Sequence, residues 1–390
     1  MGLIFKLIAG IVVGSFIGLY APHWVTQLLL TFKVMFGQLL FFTIPLLILF
    51  FITSGIASLP NNSGKLLGRT LGIAYLSTII AGVVAFFAAA LIVPMLATEN
   101  TDVAGITGVV LEPFIELEIP PVFGVMTALT LAFILGLGIA ATGAQTLKAL
   151  SDQGRDIIEL LLVKIIIPLL PFYIAGVFAE MAAAGSVFET LKTFGVILVL
   201  AVALHWLYIV TMFVLAGIKA GASPVKLIKN MLPAYFTALG TMSSAATIPV
   251  TLQCAKNNNV DDDVANFTIP LCATTHLAGS TITIVSCTVA VMVLHGSLAI
   301  PSFITIFPFI LMLGIVMLAA PGVPGGAVMS AVGLLGSMLG FGETAIALMI
   351  ALYMAQDSFG TACNVTGDGA IALFVNEAAP ETKPGDNEPS

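Results

Sequence analysis

The polar residues with the clearest chemical potential stand in one stretch near the end of the chain. Four of them recur at intervals of four, three and four residues: Asp357, Thr361, Asn364 and Asp368. On an α-helix this spacing places all four side chains on one face. The segment that holds them, residues 343–376, is apolar and long enough to cross a lipid bilayer. The sequence therefore predicts a polar stripe on a membrane-spanning helix.

This stripe combines two carboxylates, an amide and a hydroxyl. A charge at the centre of a bilayer costs at least ~2.5–3.5 kcal/mol, so we expect the stripe to face a polar cavity, a cation or a charged ligand. For Asp368 alone, plain solvation near the cytoplasmic interface is an alternative. Asp357 is about three helical turns deeper and does not share that alternative.

Composition defines the class of protein that must position these residues. Hydrophobic residues make up 59% of the 390 positions, charged residues make up 8%, and the mean hydropathy is +1.12. Such a composition predicts an all-α polytopic membrane protein. The 13 basic residues are scattered, which argues against nucleic-acid binding. The polar spans have no nucleophile–base pair or metal-ligand spacing, which argues against an enzyme.

Six apolar segments precede residue 230, and the loops between them differ in charge. Loops rich in Lys and Arg favour the cytoplasmic side of a membrane. This rule gives an even alternation of six spans, with an acidic loop outside and both termini in the cytoplasm, which suggests a prokaryotic inner (plasma) membrane. The basic residues placed inside are Lys6, Lys65, Arg69, Lys148, Arg155, Lys219, Lys226 and Lys229.

The second half of the chain holds two interrupted apolar segments. The first, residues 232–254, is broken at 241–249, and the second, residues 300–339, is broken at 321–326. Each fits a helical hairpin that enters and leaves on one side, because irregular backbone at membrane depth is tolerated only where it lines a cavity. Each hairpin is followed by a span with polar residues. Paired interruptions are typical of inverted repeats with a substrate site near the membrane midplane.

Three strings in this half resemble the dicarboxylate/amino acid:cation symporters, the glutamate transporter family. They are Asp357-x-x-Gly-Thr-x-x-Asn-Val-Thr-Gly-Asp368, Ser243-Ser-Ala-Ala-Thr-Ile-Pro249 and Gly322-Val-Pro-Gly325. The likeness covers essentially the whole chain. It implies eight transmembrane helices plus two re-entrant helical hairpins, arranged as glutamate-transporter-like inverted repeats. It also implies a homotrimer in the lipid bilayer and elevator-type alternating access.

The resemblance also divides the chain into a scaffold and a moving transport core. The tail after residue 377 is short, polar and rich in proline, and we expect it to be disordered. The divisions are residues 1–70 (scaffold spans 1 and 2), 71–121 (span 3 of the transport domain and the extracellular acidic loop), 122–190 (scaffold spans 4 and 5), 191–230 (span 6), 231–377 (transport core with both hairpins and spans 7 and 8) and 378–390 (tail).

By resemblance, each matching residue has a role in binding an amino acid. Asp357 would hold the substrate ammonium, and Asn364 would contact the α-carboxylate. Hydroxyls at the tip of the first hairpin would donate to that carboxylate, hydroxyls on spans 7 and 8 would border the side chain, and the tip of the second hairpin would close over it. The predicted substrate-binding set is Ser243, Ser244, Ser280, Val323, Gly325, Asp357, Gly360, Thr361 and Asn364.

The same resemblance implies two sodium ions and no organic cofactor. Hard cations favour oxygen ligands, and unwound helices supply them as carbonyls. Asp368 would hold the first ion together with carbonyl oxygens of neighbouring residues. The first set is Cys272, His276, Asn364 and Asp368, and the second, under the second hairpin, is Thr274, Met317, Leu318 and Ala320.

One departure from the family pattern bears on the substrate. Members that carry acidic substrates have an arginine for the side-chain carboxylate, and the matching positions here are Gly360 and Met242. A second carboxylate would be buried without a partner, at a cost of several kcal/mol. The expected substrate is therefore a small neutral amino acid such as serine, threonine or alanine.

A second departure bears on the ions. The family's Asn-Met-Asp-Gly motif reads His276-Leu-Ala-Gly279 here, so Ala278 lacks the carboxylate of a third, deeper sodium site. We expect fewer coupled sodium ions, and His276 either fills the vacated space by hydrogen bonding to a span-3 hydroxyl or carries a proton. The alternatives to sodium symport are a proton-coupled or sodium-independent neutral amino acid exchanger, an acidic amino acid/dicarboxylate symporter and, more distantly, a channel.

Overall fold

The computed structural model describes residues 3–58, 64–96, 111–115, 117–294 and 298–376, and every regular element in these residues is helical. The first helices are α1 (Leu3–Tyr20), α2 (His23–Ala57), α3 (Gly64–Leu96), α4 (Val125–Thr142), α5 (Gln145–Leu161), α6 (Ile167–Ala183) and α7 (Val187–Ala220). The others are α8 (Pro224–Thr241), α9 (Ser244–Asn257), α10 (Asp262–Thr275), α11 (Ala278–Leu294), α12 (Phe303–Met317), α13 (Gly326–Leu339), α14 (Glu343–Met354) and α15 (Asp357–Asn376). The predicted all-α class is confirmed.

Several of these helices are long and apolar enough to cross a membrane. Among the described residues there are six such spans, and the bent pair α14–α15 makes a seventh. The 18-residue apolar helix α1 lies at the lower limit of length. Large apolar side chains are exposed on the surface, including Phe5, Met95 and Ile304, the last of which is 84% exposed. Lipid tails would cover such a surface, so the chain is a multi-pass membrane protein.

The two interrupted segments fold as helix pairs. Helices α8 and α9 meet at residues 242–243, where Met242 has a positive φ of 55°, and they pack against each other. Helices α12 and α13 are separated by residues 318–325, with Gly325 at a φ of 76°. At the second break proline and glycine end the helix, because proline lacks an amide donor and glycine favours the left-handed region. At the first break Met242 itself adopts the left-handed conformation, and the Ser243 side chain caps α9. These pairs correspond to the expected hairpins.

One stretch differs from the sequence-based expectation. The residues around Lys148 and Arg155, expected in a cytoplasmic loop, form the amphipathic helix α5, which continues through a π-helical turn (Leu162–Ile166) into α6. Lys148 Nζ donates to Asp152 Oδ2 at 2.8 Å, one helical turn away. Ser54 of α2 donates to the other oxygen of Asp152 at 2.6 Å. Such i,i+4 pairs support a helix that hydropathy alone does not reveal.

Helix α1 packs on α6 through glycines that repeat every four residues. A Cβ added to Gly14 would lie 2.2 Å from the carbonyl oxygen of Ala175, far inside van der Waals contact. The backbones therefore touch directly, as small residues permit between membrane helices. The three glycine–carbonyl pairs are Gly10 with Pro171, Gly14 with Ala175 and Gly18 with Ala179.

Replacing Gly14 with alanine is expected to destabilise the protein by about 1–3 kcal/mol, because the added methyl must push two backbones apart. The measurement is the melting temperature of the purified protein in detergent. Gly195→Ala is the matched control: Gly195 is helical and has nothing within 4 Å of its added Cβ, so that variant should be equally or more stable. Equal melting temperatures for Gly14→Ala and wild type would contradict this packing.

The second half packs around α11. All but one of the residues of α11 are buried, and this helix lies between α3 on one side and α15 on the other. Contact of α3 with α11 supports the assignment of span 3 to the transport domain, and the domain boundaries remain a prediction.

The expected extracellular acidic loop falls mostly on residues 97–110 and Glu116, and the expected tail on 378–390. These positions lie outside the described residues.

Candidate functional site

Two helix breaks position the candidate site. Helices α14 and α15 meet at a bend of 60°. Helix α10 ends at Thr275, His276 is extended, and α11 begins at Ala278. A helix break frees backbone N–H and C=O groups, which must then find other partners or ligands. The break between α10 and α11 faces α15, since the Gly279 N–H donates to Asn364 Oδ1 at 2.8 Å.

The polar stripe lies on α15 and points into the protein. Asp357 and Asn364 are 3% and 1% exposed, and Asp368 is 1% exposed. Burial of Asp368 within the protein leaves no role for solvation at the membrane surface. Thr361 is also buried, one turn after Asp357. The stripe therefore faces the interior of the protein, and not lipid.

The carboxylate of Asp357 has neutral donors, among them the Thr361 hydroxyl one turn further along α15. Its Oδ2 accepts from the Gly325 N–H at 2.7 Å, and its Oδ1 accepts from the Tyr353 hydroxyl at 2.8 Å. A carboxylate offers about four acceptor positions. The charge of Asp357 is thus not neutralised by these partners, and acceptor capacity remains for an ammonium group.

The amide of Asn364 is oriented by the start of α11. Its Oδ1 accepts from the N–H groups of Gly279 at 2.8 Å and Ser280 at 3.2 Å. Its Nδ2 donates to Ser280 Oγ at 2.9 Å. An amide nitrogen has two hydrogens, so one stays available for a carboxylate oxygen.

The tips of the two hairpins meet over this region. Ser243 Oγ caps α9 by accepting from the Ala246 N–H at 3.3 Å, and it donates to the Gly322 carbonyl at 2.9 Å. Val323 is partly exposed at the tip of the second hairpin, whereas Ser244 is buried. Together with the Gly325–Asp357 bond, these contacts hold the second hairpin closed over the stripe.

Replacing Ser243 with alanine is expected to loosen the second hairpin. The change removes both the cap of α9, worth about 1 kcal/mol, and the bond to Gly322. Amide hydrogen exchange of residues 322–326 should become faster. Ser337→Ala serves as the control because the Ser337 hydroxyl bonds only to a carbonyl of its own helix in the described structure. Unchanged exchange at the tip would contradict a contact that restrains it.

The residues of the first predicted ion set come together at the break. Asp368 Oδ1 lies 2.8 Å from His276 Nδ1, with both side chains buried, and the Cys272 carbonyl accepts from the His276 N–H at 2.8 Å. The other ring nitrogen of His276, Nε2, lies 2.9 Å from the Tyr208 hydroxyl, and this hydroxyl lies 2.6 Å from Ser77 Oγ on α3. His276 thus occupies one oxygen of Asp368. His276 is thus connected to a hydroxyl of span 3, as expected, but through Tyr208 and not directly.

The second predicted ion set lies at two helix ends. Thr274 is exposed at the end of α10, where its hydroxyl donates to the Leu271 carbonyl at 3.1 Å. The other three residues, Met317, Leu318 and Ala320, form the end of α12 and the turn after it. The Met317 carbonyl accepts from the Ala320 N–H at 3.4 Å. This set remains a prediction.

Gly360 carries a close contact between α15 and α11. A Cβ added there would lie 3.3 Å from Thr283 Oγ1 and 3.5 Å from the backbone of Ser280. A Cβ on Gly279 would come within 2.4 Å of the Gly360 carbonyl oxygen. The space that the absent side chain leaves is therefore filled by α11 in this structure.

Sequence reasoning missed two residues that the structure brings to the site. Tyr353 contacts Asp357, and Tyr208 contacts His276. His205, expected from the sequence to be an inward-facing polar contact, is buried, and its Nε2 lies 3.0 Å from the Gly279 carbonyl at the start of α11. Tyr353 precedes Asp357 by four residues, so the helical spacing that revealed the stripe also extends to it. Tyr208 and His205 stand on α7, and no local pattern connects them with the stripe.

One cavity of the described structure lies away from the stripe. It has a volume of about 440 Å³ and is lined by α2, the segment before α4 and the helices α13 and α14, with Gln38, Glu118 and Glu343 among its polar residues. None of the predicted substrate residues lines it.

Comparison with known proteins places this geometry in a family. The family model described as "Sodium:dicarboxylate symporter family" matches residues 3–378. The serine/threonine transporter SstT of Enterococcus faecalis is 25% identical over 97% of this chain and 92% of its own length. That of Streptococcus suis is 29% identical over 73% and 81%, and the human excitatory amino acid transporter 5 is 30% identical over 52% and 35%. The chain belongs to the sodium:dicarboxylate symporter family and is a transporter, not an enzyme.

Proposed function

We propose that this protein carries small neutral amino acids, such as serine, threonine and alanine, across the membrane together with sodium. The observation that carries the proposal is the environment of Asp357, whose described donors, the Gly325 N–H and the Tyr353 and Thr361 hydroxyls, are all neutral. A free negative charge suits the ammonium of an amino acid. The relatives named serine/threonine transporters support the same substrate class.

The family description names dicarboxylates, so an acidic substrate is the main alternative. An acidic side chain would bring a second carboxylate into a buried site that already holds Asp357 and Asp368. Its burial without a basic partner would cost several kcal/mol. Positions 242 and 360, where an arginine would stand, hold methionine and glycine. These residues favour a neutral substrate over aspartate or a dicarboxylate.

Sodium coupling rests on oxygen atoms at the α10–α11 break and on Asp368. The carboxylate and the carbonyls of Cys272, His276 and Asn364 are the kind of hard ligands that sodium favours. The family description supports sodium as the coupled ion. Elevator motion and a homotrimer, which the family resemblance implies, complete the proposal. An inner membrane with cytoplasmic termini, predicted from the charges of the loops, belongs to it as well.

Coupling to protons is the second candidate. The buried Asp368–His276 pair, extended by Tyr208 and Ser77, favours it. An imidazole already occupies one oxygen of the carboxylate that would bind sodium, and histidine is the side chain best suited to carry a proton near neutral pH. The same pair is compatible with sodium symport at a lower stoichiometry.

Uptake of labelled serine into proteoliposomes tests both candidates. Sodium and proton gradients are imposed separately, each with a valinomycin clamp and with choline as the control cation. Uptake driven by sodium supports the main proposal, and uptake driven only by protons supports the second. If neither gradient drives serine, threonine or alanine, and aspartate is accumulated instead, the proposed substrate class is wrong.

A further inference from the structure

A continuous path of polar contacts joins the two residues proposed to hold the ends of an amino acid. Asp357 Oδ1 accepts from the Tyr353 hydroxyl at 2.8 Å, and this hydroxyl lies 3.2 Å from Ser280 Oγ. Ser280 Oγ in turn accepts from Asn364 Nδ2 at 2.9 Å. All four side chains are at least 97% buried. The path therefore runs inside the protein, beside the stripe on α15.

The path crosses three helices. Tyr353 belongs to α14, on the far side of the 60° bend from Asp357, whereas Ser280 belongs to α11. A buried tyrosine hydroxyl requires a polar partner, so a tyrosine here, and not a phenylalanine, is explained by its bonds to Asp357 and Ser280. The contacts fix the side chain of Asp357 at one end and that of Asn364 at the other.

We propose that Tyr353, acting through Ser280, is a positioning residue that sets the separation between the ammonium-binding carboxylate and the carboxylate-binding amide. This inference rests on the proposed function. A substrate whose ammonium and carboxylate groups are separated by one carbon then fits both ends at once. Tyr353 selects α-amino acids over amino acids with a longer separation.

Distances along α15 explain why this separation needs support. Asp357 and Asn364 are seven residues apart, a rise of about 10.5 Å along the helix axis, so their side chains must lean toward each other to grip one small molecule. One additional methylene lengthens the substrate by about 1.5 Å, the length of one carbon–carbon bond. If the side chains of Asp357 and Asn364 are held rigidly, the longer substrate does not fit both of them. If these side chains are free to change rotamer, they can accommodate it.

Alanine and β-alanine test the inference because they are isomers that differ only in this separation. The measurement is inhibition of labelled serine uptake by each compound, in wild type and in Tyr353→Phe. The variant keeps the ring and loses the hydroxyl. We expect the inhibition constant of alanine to rise about tenfold or more, the effect of one lost hydrogen bond to a charged group. The inhibition constant of β-alanine should change little, so the ratio of the β-alanine constant to the alanine constant falls by the same factor.

Maximal uptake of serine should be preserved in Tyr353→Phe while its KM rises, because the lost contact acts in binding. Tyr173→Phe is the matched control, since Tyr173 is also buried but lies on α6. It should leave the ratio unchanged. An unchanged ratio in Tyr353→Phe, with or without a lower melting temperature, overturns the inference and makes Tyr353 a packing residue only.

Ser280→Ala breaks the same path at its next link and, if Tyr353→Phe does not fold, tests the path by itself: it should lower the alanine/β-alanine discrimination. Where Tyr353→Phe folds, the double variant should lower the discrimination no further than either single change, because both changes break one path. Independent, additive effects of the two changes also overturn the inference. Failure of the proposed function is distinct: wild type would then show no serine uptake that alanine inhibits.

Discussion

Replacing Asp357 with asparagine should reduce amino acid uptake to near background at serine concentrations close to the wild-type KM, while the protein stays folded. Asparagine has nearly the same shape and keeps one oxygen that can accept from Tyr353 or Gly325. It removes the negative charge that would pair with the substrate ammonium. Losing one partner of a buried charge pair costs about 2–5 kcal/mol, so the KM for serine should rise by at least about 30-fold.

The measurement is labelled serine uptake into proteoliposomes, with the melting temperature in detergent as the check on folding. Asp156→Asn is the matched control, because the Asp156 side chain is 64% exposed and pairs with Arg155 on α5. It should transport as wild type does. Uptake by Asp357→Asn at the wild-type KM would rule out a role for this carboxylate in binding the ammonium.

Replacing His276 with alanine should destabilise the protein strongly in the absence of sodium. The change leaves the buried carboxylate of Asp368 without the imidazole that now lies 2.8 Å away. Breaking a buried pair in this way costs about 3–5 kcal/mol when the remaining group stays charged. A sodium ion can replace the imidazole as a partner of the carboxylate, so sodium should restore much of the loss.

The test compares melting temperatures in sodium and in choline chloride at equal ionic strength. We expect the shift caused by sodium to be larger in His276→Ala than in wild type. His23→Ala, at an exposed position at the start of α2, should behave as wild type. If sodium shifts the variant and the wild type equally, His276 and sodium do not compete for Asp368.

Features that depend on local spacing could be predicted from the sequence. The four-residue repeat of Gly10, Gly14 and Gly18 predicts close helix packing, and these glycines do face the backbone of α6. The interruptions at 241–249 and 321–326 predict hairpins, because proline, glycine and small hydroxyl residues rarely continue an apolar helix. The stripe on α15 follows from the same periodic argument.

Features that depend on distant residues could not be predicted in this way. Tyr208 reads as an ordinary aromatic residue of an apolar span, and only the packing of α7 against α15 brings it to His276. The glycine at position 360 predicts free space beside α15, but α11 fills that space. Hydropathy did not predict helix α5, because its charged residues give this stretch a low hydropathy, although the spacing of these residues is helical. Tertiary contacts decide each of these cases.

The glycine contacts between α1 and α6 also restrict how this protein can move. Sliding α1 by one residue, about 1.5 Å, would bring a larger side chain against each carbonyl that a glycine now meets. Only a shift of four residues, about 6 Å, would match glycines to carbonyls again, and one contact of the three would be lost. Gly176 of α6 meets the Leu29 carbonyl of α2 in the same manner. We therefore expect α1, α2 and α6 to keep a fixed register and to be stationary while other helices shift past them.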